Sequence, residues 1–433
     1  MSASGDSPMK PVSLPRRLFL GLYVAPTPEG LIIQGLDPDA PIASTVLQPM
    51  DRLMAVNGKR ITEAVDLFIW QKDLKPGEEV HLQVERQGRQ ISVSFFPSSA
   101  ALEEPEEGNV NEYGEFSNHK IRLRSLFTYP SGKDGRKNQS LPGILILPGL
   151  GGVPCDQPNL VHLVRDLAQT LAREGALVMR YDQRGVGDSE GEMYAEVDFL
   201  TEVADAGMAL EALAHHPRCH PRDLRLIGLG LGGVMIPLVA AGKPRVKRVC
   251  LWGSLARSWI SYALDNFLVQ ARMRRTPKEQ IIPLQNLCCL LWGLLAATDM
   301  TGEDLLQSFP ALKDFGLTGK YFNAKIISFW RQLARTNIEA AYEKCAFRIL
   351  ALRGEHDALS NQQDIHSILK AAKEAGLRVK GLTIPGIDHF GSAGNSMMDC
   401  YTRLLQGRIV YQPDRLLKPM AEWLLETSIH SHV

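Results

Sequence analysis

The chain has 433 residues, of which 45% are hydrophobic and 22% are charged. These values are ordinary for a globular protein, and the length predicts two or three domains. Lys plus Arg and Asp plus Glu both number 48. This balance gives no indication of a bulk electrostatic partner such as nucleic acid or an anionic membrane.

Residues 1–15 are polar and lack the apolar core of a signal peptide, so a disordered N-terminus is predicted. The seven cysteines are scattered without Cys-x-x-Cys spacing, which argues against a disulfide framework and a zinc site. We therefore expect a reducing, cytoplasmic location. The most apolar run, Leu284 to Ala297, is shorter than the ~20 residues of a bilayer crossing, so no membrane span is predicted.

Residues 16–98 predict a small, mainly-β domain, because short apolar runs alternate there with tight turns such as Asn57-Gly58. Three segments, Leu20-Gly21-Leu22, Asp37 to Pro41 and Val56 to Lys59, together resemble a PDZ domain of the protease-associated type.

The PDZ resemblance implies that backbone N–H groups around Leu20, Gly21 and Leu22 bind a peptide C-terminus, with the peptide added as a strand. The alternative, weighted equally, is a domain that only packs on its neighbour.

Residues 99–115 are rich in Ser, Glu, Pro and Gly and predict a linker. From residue 116 to 430, apolar strands alternate with helical patterns, which predicts an α/β fold with a mostly parallel sheet and helices on both faces. Residues 254–346 have helical periodicity and no predicted strand. An insertion of this size predicts a helical lid over the site. Its aromatic residues either line an apolar cleft or form the lid's own core.

The stretch Gly228-Leu229-Gly230-Leu231-Gly232-Gly233 lies between a predicted strand and a predicted helix. A strand that turns directly into a helix needs small residues on both sides of the turn. This is the geometry of the nucleophile elbow Gly-x-Ser-x-Gly. Here the middle position is Gly230, which has no hydroxyl.

Four loops that follow predicted strands are consistent with such an elbow. They are Pro148 to Gly152, Asp182 to Gly191, Gly354 to Asp357 and Pro385 to Phe390. With the elbow, they resemble the α/β-hydrolase superfamily in its serine aminopeptidase and esterase branch. The chain order of nucleophile position, acid and histidine also matches that superfamily.

The hydrolase resemblance implies that His389 is the catalytic base and Asp357 the acid that orients it. It also implies that the oxyanion hole uses the N–H of Leu231 and one from Leu150 or Gly151. The simpler interpretation is a loop histidine bonded to Asp388 and a turn aspartate.

Gly230 cannot form an acyl-enzyme. Cys155 is the other candidate nucleophile, although a lone cysteine is more often a small buried residue. Ser189 is better explained as a turn hydroxyl.

Three functions remain open. The first is an ester, thioester or peptide hydrolase whose activity is weak or lost because Gly230 replaces the nucleophile, acting on a small acyl or peptide substrate. The second is a serine-independent acid–base enzyme using His389 and Asp357, of the lyase, cyclase or cofactor-free oxygenase type. The third is a non-catalytic, PDZ-linked scaffold or ligand-binding protein. No metal or nucleotide cofactor is predicted, because the glycine-rich loops lack the P-loop and dinucleotide fingerprints.

Overall fold

The structure is a computed structural model that describes residues 9–11, 13–27, 30–71, 74–132, 140–156 and 162–426. Residues 1–8, 12 and 427–430, which the predicted domain boundaries include, lie outside the described residues.

The N-terminal part of the chain is mainly β, as predicted. Its elements are β1 (Met9–Pro11), β2 (Leu18–Phe19), β3 (Leu22–Thr27), β4 (Gly30–Leu36), β5 (Arg52–Val56), β6 (Lys59–Arg60), α1 (Ala64–Gln71), β7 (Val80–Arg86), β8 (Arg89–Phe95) and β9 (Ser98–Ser99). An antiparallel sheet has the order β3-β4-β5-β7-β8, with β6 paired to β5. In β7, Val80, Leu82 and Val84 are buried while His81 and Gln83 are exposed, which is the period-two alternation of a half-buried strand.

Two segments differ from the sequence prediction. Residues 9–11, assigned to a disordered terminus, form strand β1, which pairs with the edge of the large sheet at residues 114–116. The predicted linker 99–115 is held to the second domain by the ion pair between Glu103 and the buried Arg180, at 2.7 Å. The segment that predicted a solvated linker instead supplies the partner of a buried arginine.

The second part contains the strands β10 (Asn109–Asn118), β11 (Ile121–Pro130), β12 (Leu141–Leu147), β13 (Leu177–Tyr181), β14 (Cys219–Leu229), β15 (Val246–Trp252), β16 (Tyr321–Phe322), β17 (Lys325–Ile326), β18 (Arg348–Gly354) and β19 (Val379–Ile384). The large sheet has the order β1-β10-β11-β13-β12-β14-β15-β18-β19. It is antiparallel from β1 to β13 and parallel from β13 to β19. The prediction of a mostly parallel sheet is confirmed.

Helices cover both faces of the large sheet. They are α2 (Leu163–Arg173), α3 (Phe199–His215), α4 (Leu231–Ala240), α5 (Trp259–Met273), α6 (Lys278–Ala297), α7 (Gly302–Ser308), α8 (Ile327–Arg335), α9 (Ile338–Tyr342), α10 (Gln362–Glu374), α11 (Met397–Leu405) and α12 (Asp414–Leu425). In β12, Leu145 and Leu147 belong to the core formed with α3 and α4. Ile144 and Ile146 belong to the core on the other face, with α2 and α12.

The insertion at residues 254–346 contains α5 to α9 and is helical, as predicted. It is not free of strands, however, because β16 and β17 form a short antiparallel hairpin. The hairpin places the Lys325 side chain in the protein interior. Such a two-residue ladder is too short to give a strand pattern in the sequence.

Helix α6 is longer than the apolar run from which it was predicted, because it begins at Lys278 and has 20 residues. By length and composition it is the one helix among the described residues that could cross a membrane. In the structure, Cys288, Leu291, Trp292 and Leu295 are its buried residues, and they belong to the core that the lid shares with the sheet.

Candidate active site

The loops that follow four parallel strands meet at one edge of the sheet. Pro148 to Gly152 follow β12, Gly230 follows β14, Asp357 lies after β18, and His389 lies after β19. Parallel strands present their carboxyl ends at the same edge, where α/β proteins place their sites. The structure therefore brings together the residues that the sequence analysis assigned to acid, base and nucleophile position.

The elbow is built from glycines because its backbones approach closely. A Cβ on Gly228 would lie 2.5 Å from the Gly233 nitrogen, and one on Gly232 would lie 2.6 Å from the Pro148 oxygen. Gly230 itself has φ 52° and ψ −116°, a conformation that side-chain-bearing residues rarely adopt. The sharp strand-to-helix turn is thus present without its hydroxyl.

His389 is hydrogen-bonded to Asp357 and not to Asp388. Its Nδ1 lies 2.8 Å from Asp357 Oδ2. The carboxylate also accepts hydrogen bonds from the N–H groups of Leu359 and Ser360 and from the Ser360 hydroxyl. Because a carboxylate only accepts, Nδ1 carries the proton, and Nε2 of the neutral ring is left as the base.

The charges of this pair perturb each other. Burial alone raises the pKa of Asp357, but the neighbouring imidazole and the Ser360 donors outweigh burial and hold the pKa below its usual value. Burial likewise lowers the pKa of His389, yet the carboxylates of Asp357 and Asp388 raise it above the usual value. The imidazolium form is therefore stabilised, as a general base requires.

The base faces the nucleophile position. A Cβ built on Gly230 would lie 3.4 Å from His389 Nε2, and beyond its chain neighbours the His389 ring is the one group of the described residues within 4 Å. A side chain at this position would therefore meet the base directly. In this chain the position carries only a hydrogen, so nothing at Gly230 itself contacts His389 Nε2 as a side chain would.

Two residues at the end of β15 lie against His389, and sequence analysis missed both. The Trp252 indole N–H donates to the His389 carbonyl at 2.6 Å. Gly253 has φ 57°, and a Cβ there would lie 2.6 Å from His389 Nδ1. A glycine directly after a buried strand was the available signal, since it marks close approach of another group.

The predicted oxyanion donors differ in availability. The Gly151 N–H donates to the Tyr194 hydroxyl oxygen at 3.0 Å and is therefore already engaged. In the part of the chain that the structure describes, the N–H groups of Leu150 and Leu231 have no hydrogen-bond acceptor. Leu231 opens α4, where backbone N–H groups lack intrahelical partners and the dipole favours negative charge.

Tyr194 links the loop of Gly151 and Gly152 to the helical insertion. A Cβ on Gly152 would lie 2.7 Å from the Tyr194 ring. Lys325 of the lid hairpin donates to the Tyr194 carbonyl at 2.6 Å, and its Nζ lies 3.5 Å from the ring centroid. Lys325 also pairs with Glu202 at 2.5 Å. Burial lowers the pKa of Lys325 despite that partner, and burial raises the pKa of Glu202. No sequence signal joins residues this far apart.

Helix α5 covers the acid loop. Asn266 and Gln270 both donate to the Ala358 carbonyl, at 3.1 and 2.9 Å. Arg257, just before the helix, pairs with Asp364 at 2.7 Å. The helical insertion is thus anchored beside the loop that carries Asp357.

The alternative nucleophiles do not have the required environment. Burial and the nearby Asp182 raise the pKa of the Cys155 thiol well above its usual value, so the thiolate is disfavoured. Ser189 donates to the Asp182 carbonyl at 2.7 Å and accepts from the Arg124 N–H, which is the bonding of a turn hydroxyl.

Cys155, Asp156 and Asp182 offer ligand atoms within 4.8 Å of one another, the arrangement of a possible metal site. The Arg124 guanidinium contacts both aspartates, at 2.5 and 3.4 Å. Because this cation already compensates the charge of the two aspartates, we interpret the cluster as a buried ion-pair network.

Exposed apolar side chains flank the catalytic loops. Leu150 and Val153 of the oxyanion loop are 46% and 50% exposed, and Phe390, next to the base, is 36% exposed. An apolar rim of this kind is typical of sites that receive an uncharged ligand.

Among solved structures, the chain is similar to a hypothetical protein from Pseudomonas aeruginosa, with 18% identity over 76% of this chain and 99% of that one, at a TM-score of 0.46. A putative dienelactone hydrolase from Klebsiella pneumoniae has 15% identity over 73% and 100%, with a TM-score of 0.42. Est1E from Butyrivibrio proteoclasticus, with ferulic acid bound, has 12% identity over 67% and 96%, also at 0.42.

No curated protein matches the chain. The family described as serine aminopeptidase, S33 matches residues 161–389, which is more than half of the 433 residues. This range contains Gly230, Asp357, His389 and the helical insertion at residues 254–346. The chain belongs to the serine aminopeptidase S33 family and has the α/β-hydrolase fold.

Proposed function

We propose that this chain is a serine-hydrolase-type protein for an ester, thioester or peptide carbonyl in which Gly230 removes the covalent step. The observation that carries the proposal is the 3.4 Å between His389 Nε2 and the position of a Cβ on Gly230. His389, Asp357 and the elbow are arranged as they would be around a nucleophilic side chain at position 230, which the chain does not carry.

The remaining groups still favour binding of a carbonyl. The Leu231 and Leu150 N–H groups can receive its oxygen, and the apolar rim can receive the attached acyl chain. Without a nucleophile, an oxyanion hole and binding alone give only ~10³–10⁴-fold over the reaction in water. We therefore expect the chain to bind an apolar acyl or peptide ligand and to hydrolyse it weakly or not at all.

Turnover of short-chain nitrophenyl esters and thioesters by the Gly230→Ser variant tests this proposal. We expect a large gain over the unmodified chain. Gly230→Ala is the matched control, because it introduces the same positive-φ side chain, at a strain of ~1–3 kcal/mol, without a hydroxyl. No gain in the serine variant, with folding intact by circular dichroism, contradicts the proposal.

A second candidate function uses the same base without a nucleophile. Because His389 Nε2 faces a position with no side chain, it can take a proton from a carbon acid while the oxyanion donors hold the enolate. Hydrogen–deuterium exchange at the α-carbon of β-keto thioesters, followed by NMR, measures this activity. Exchange that persists in His389→Ala excludes it.

The N-terminal domain supports a separate binding role for peptide C-termini. Strand β3 is an edge of its sheet, and α1 packs beside it, so a peptide could add as a strand between them. Gly21 has φ 76°, which lets the loop from Leu20 to Leu22 turn its N–H groups toward a carboxylate.

Fluorescence polarisation with peptides of free C-terminus tests this binding role. The same peptides with amidated ends are the control, because only the free carboxylate can bind the loop. Equal binding of both forms contradicts recognition of the carboxylate, and no binding leaves the domain as a packing module on a scaffold.

A further inference from the structure

Helix α6 is apolar and nearly uncharged, although one of its faces is exposed to solvent. No charged residue occurs between Glu279 and Asp299, although soluble proteins normally place charges on the outer face of a surface helix. Mean hydropathy over its most apolar stretch is 1.5, yet only 22% of that stretch is buried. Leu287, Leu290 and Leu294 are partly buried against the core, so the helix is apolar on its inner side and also lacks charge on the side that reaches solvent.

The outer face of α6 is a continuous stripe. Ile282, Asn286, Cys289 and Gly293 recur at spacings of four, three and four, so they share one side of the helix, and all four are exposed. Ile282 is 67% exposed. Ile282 is thus a large aliphatic side chain in contact with solvent on a stripe that carries no charge.

A basic cluster borders this stripe at the turn between α5 and α6. Arg272, Arg274, Arg275 and Lys278 are exposed, and none of the four forms a salt bridge with any described residue. Glu279 is the one acidic residue in the sequence from 266 to 298. Lys278 lies four residues before Ile282 and therefore on the same face. The turn thus combines unpaired positive charge with an exposed isoleucine.

We propose that the outer face of α6 and the adjoining basic turn dock on an anionic lipid bilayer. Apolar side chains beside Lys and Arg are the pattern of a helix that lies in the membrane interface, where Ile282 enters the acyl boundary and the cations stay at the phosphate level. Acidic and basic residues are equal in number over the whole chain, so this local excess of positive charge does not appear in the net charge. The helix lies on the surface and does not span the bilayer, because its opposite face is buried in the lid.

Docking brings the lid close to the apolar ligands that a bilayer contains. Helix α5 of the lid covers the loop of Asp357. The docking itself is independent of the chemistry at Gly230, so it holds whether or not the site turns over a substrate. It also predicts salt sensitivity, because the Debye length falls from ~10 Å at 0.1 M to ~3 Å at 1 M salt.

Co-sedimentation of the full chain with vesicles tests the proposal. We expect binding to vesicles of equal parts phosphatidylglycerol and phosphatidylcholine, little binding to phosphatidylcholine alone, and loss of binding at high salt. Ile282→Ser should lower the partition coefficient about tenfold. Arg274→Gln with Arg275→Gln should lower it about 25-fold, since each cation near an anionic surface contributes about fivefold.

Matched substitutions elsewhere serve as controls. Val46→Ser alters an aliphatic side chain that is 62% exposed on the N-terminal domain, and Lys59→Gln with Arg60→Gln alters an exposed basic pair on β6. Both should leave vesicle binding unchanged. Absence of binding to anionic vesicles, equal effects of control and α6 variants, or binding of single-stranded RNA that ignores Ile282→Ser would each overturn the proposal.

Discussion

On the acid–base side of the site, His389 and Asp357 are joined by a 2.8 Å hydrogen bond and are fixed by Trp252, Gly253 and α5. On the nucleophile side, the elbow keeps its shape but ends in Gly230. The elbow glycines are required by close backbone contacts, whatever residue lies between them. The dyad is held instead by hydrogen bonds, since Asp357 also accepts from the Leu359 and Ser360 N–H groups of its own turn. The comparison shows that one side of the site depends on backbone shape and the other on side-chain hydrogen bonds.

The largest expected effect comes from breaking the dyad. In the Gly230→Ser background, Asp357→Asn should lower ester hydrolysis by about 10⁴-fold, because an amide no longer fixes the Nδ1–H tautomer of His389. Steady-state kinetics measure the loss. Asp388→Asn is the control, since the Asp388 carboxylate instead accepts from the Phe390 and Ser392 N–H groups. Equal losses in both variants would mean that the acid has been misassigned.

The next-largest effect is expected at Lys325, through which the lid contacts Tyr194 and Glu202. Lys325→Met should lower the free energy of unfolding by about 3–5 kcal/mol, because it leaves Glu202 buried without its partner. Adding Glu202→Leu should recover most of that loss in urea denaturation. Lys325→Met should also lower hydrolysis in the Gly230→Ser background. Adding Glu202→Leu should not restore hydrolysis, since Tyr194 still lacks its lysine. Full recovery of both would show that the lid does not position the oxyanion loop.

Gly253→Ala should lower the rate of hydrolysis by displacing the His389 imidazole. Its Cβ would lie 2.6 Å from His389 Nδ1, and displacing the imidazole by about 1 Å lowers the rate about 100-fold. Gly242→Ala is the matched control, because Gly242 has φ 68° and nothing within 4 Å of an added Cβ. The rate is again measured in the Gly230→Ser background. A similar loss in both variants would point to backbone strain instead of the clash.

The smallest effect is the pH dependence of the dyad. The folded-state pKa of His389 is raised, so the stability contributed by its charged form is fully present below the unfolded pKa of ~6.5 and is lost as pH rises through the folded pKa. The difference in unfolding free energy between the unmodified chain and His389→Gln should therefore shrink as pH rises. Urea denaturation at a series of pH values measures it, and a difference that grows with pH contradicts the assignment.

The acid–base side was predictable because Asp357 and His389 lie in loops that follow apolar strands. Parallel strands end at one edge, which places these loops together, and the hydrolase resemblance implied which of their residues pair. The link between Tyr194 and Lys325 was not predictable, since it joins residues 131 apart through a side chain and a carbonyl. Composition misled at Glu103, where an acidic segment suggested a linker although its partner, Arg180, is buried in the sheet.

Covalent labelling with a fluorophosphonate probe tests the central claim most directly, because the probe reacts only where nucleophile, base and oxyanion hole are assembled together. We expect intact-mass spectra to show no adduct on the unmodified chain or on Gly230→Ala, and one adduct mapped to position 230 in Gly230→Ser. An adduct on the unmodified chain would reveal a different nucleophile. No adduct on the folded serine variant would show that the site is not a serine-hydrolase site lacking only its hydroxyl.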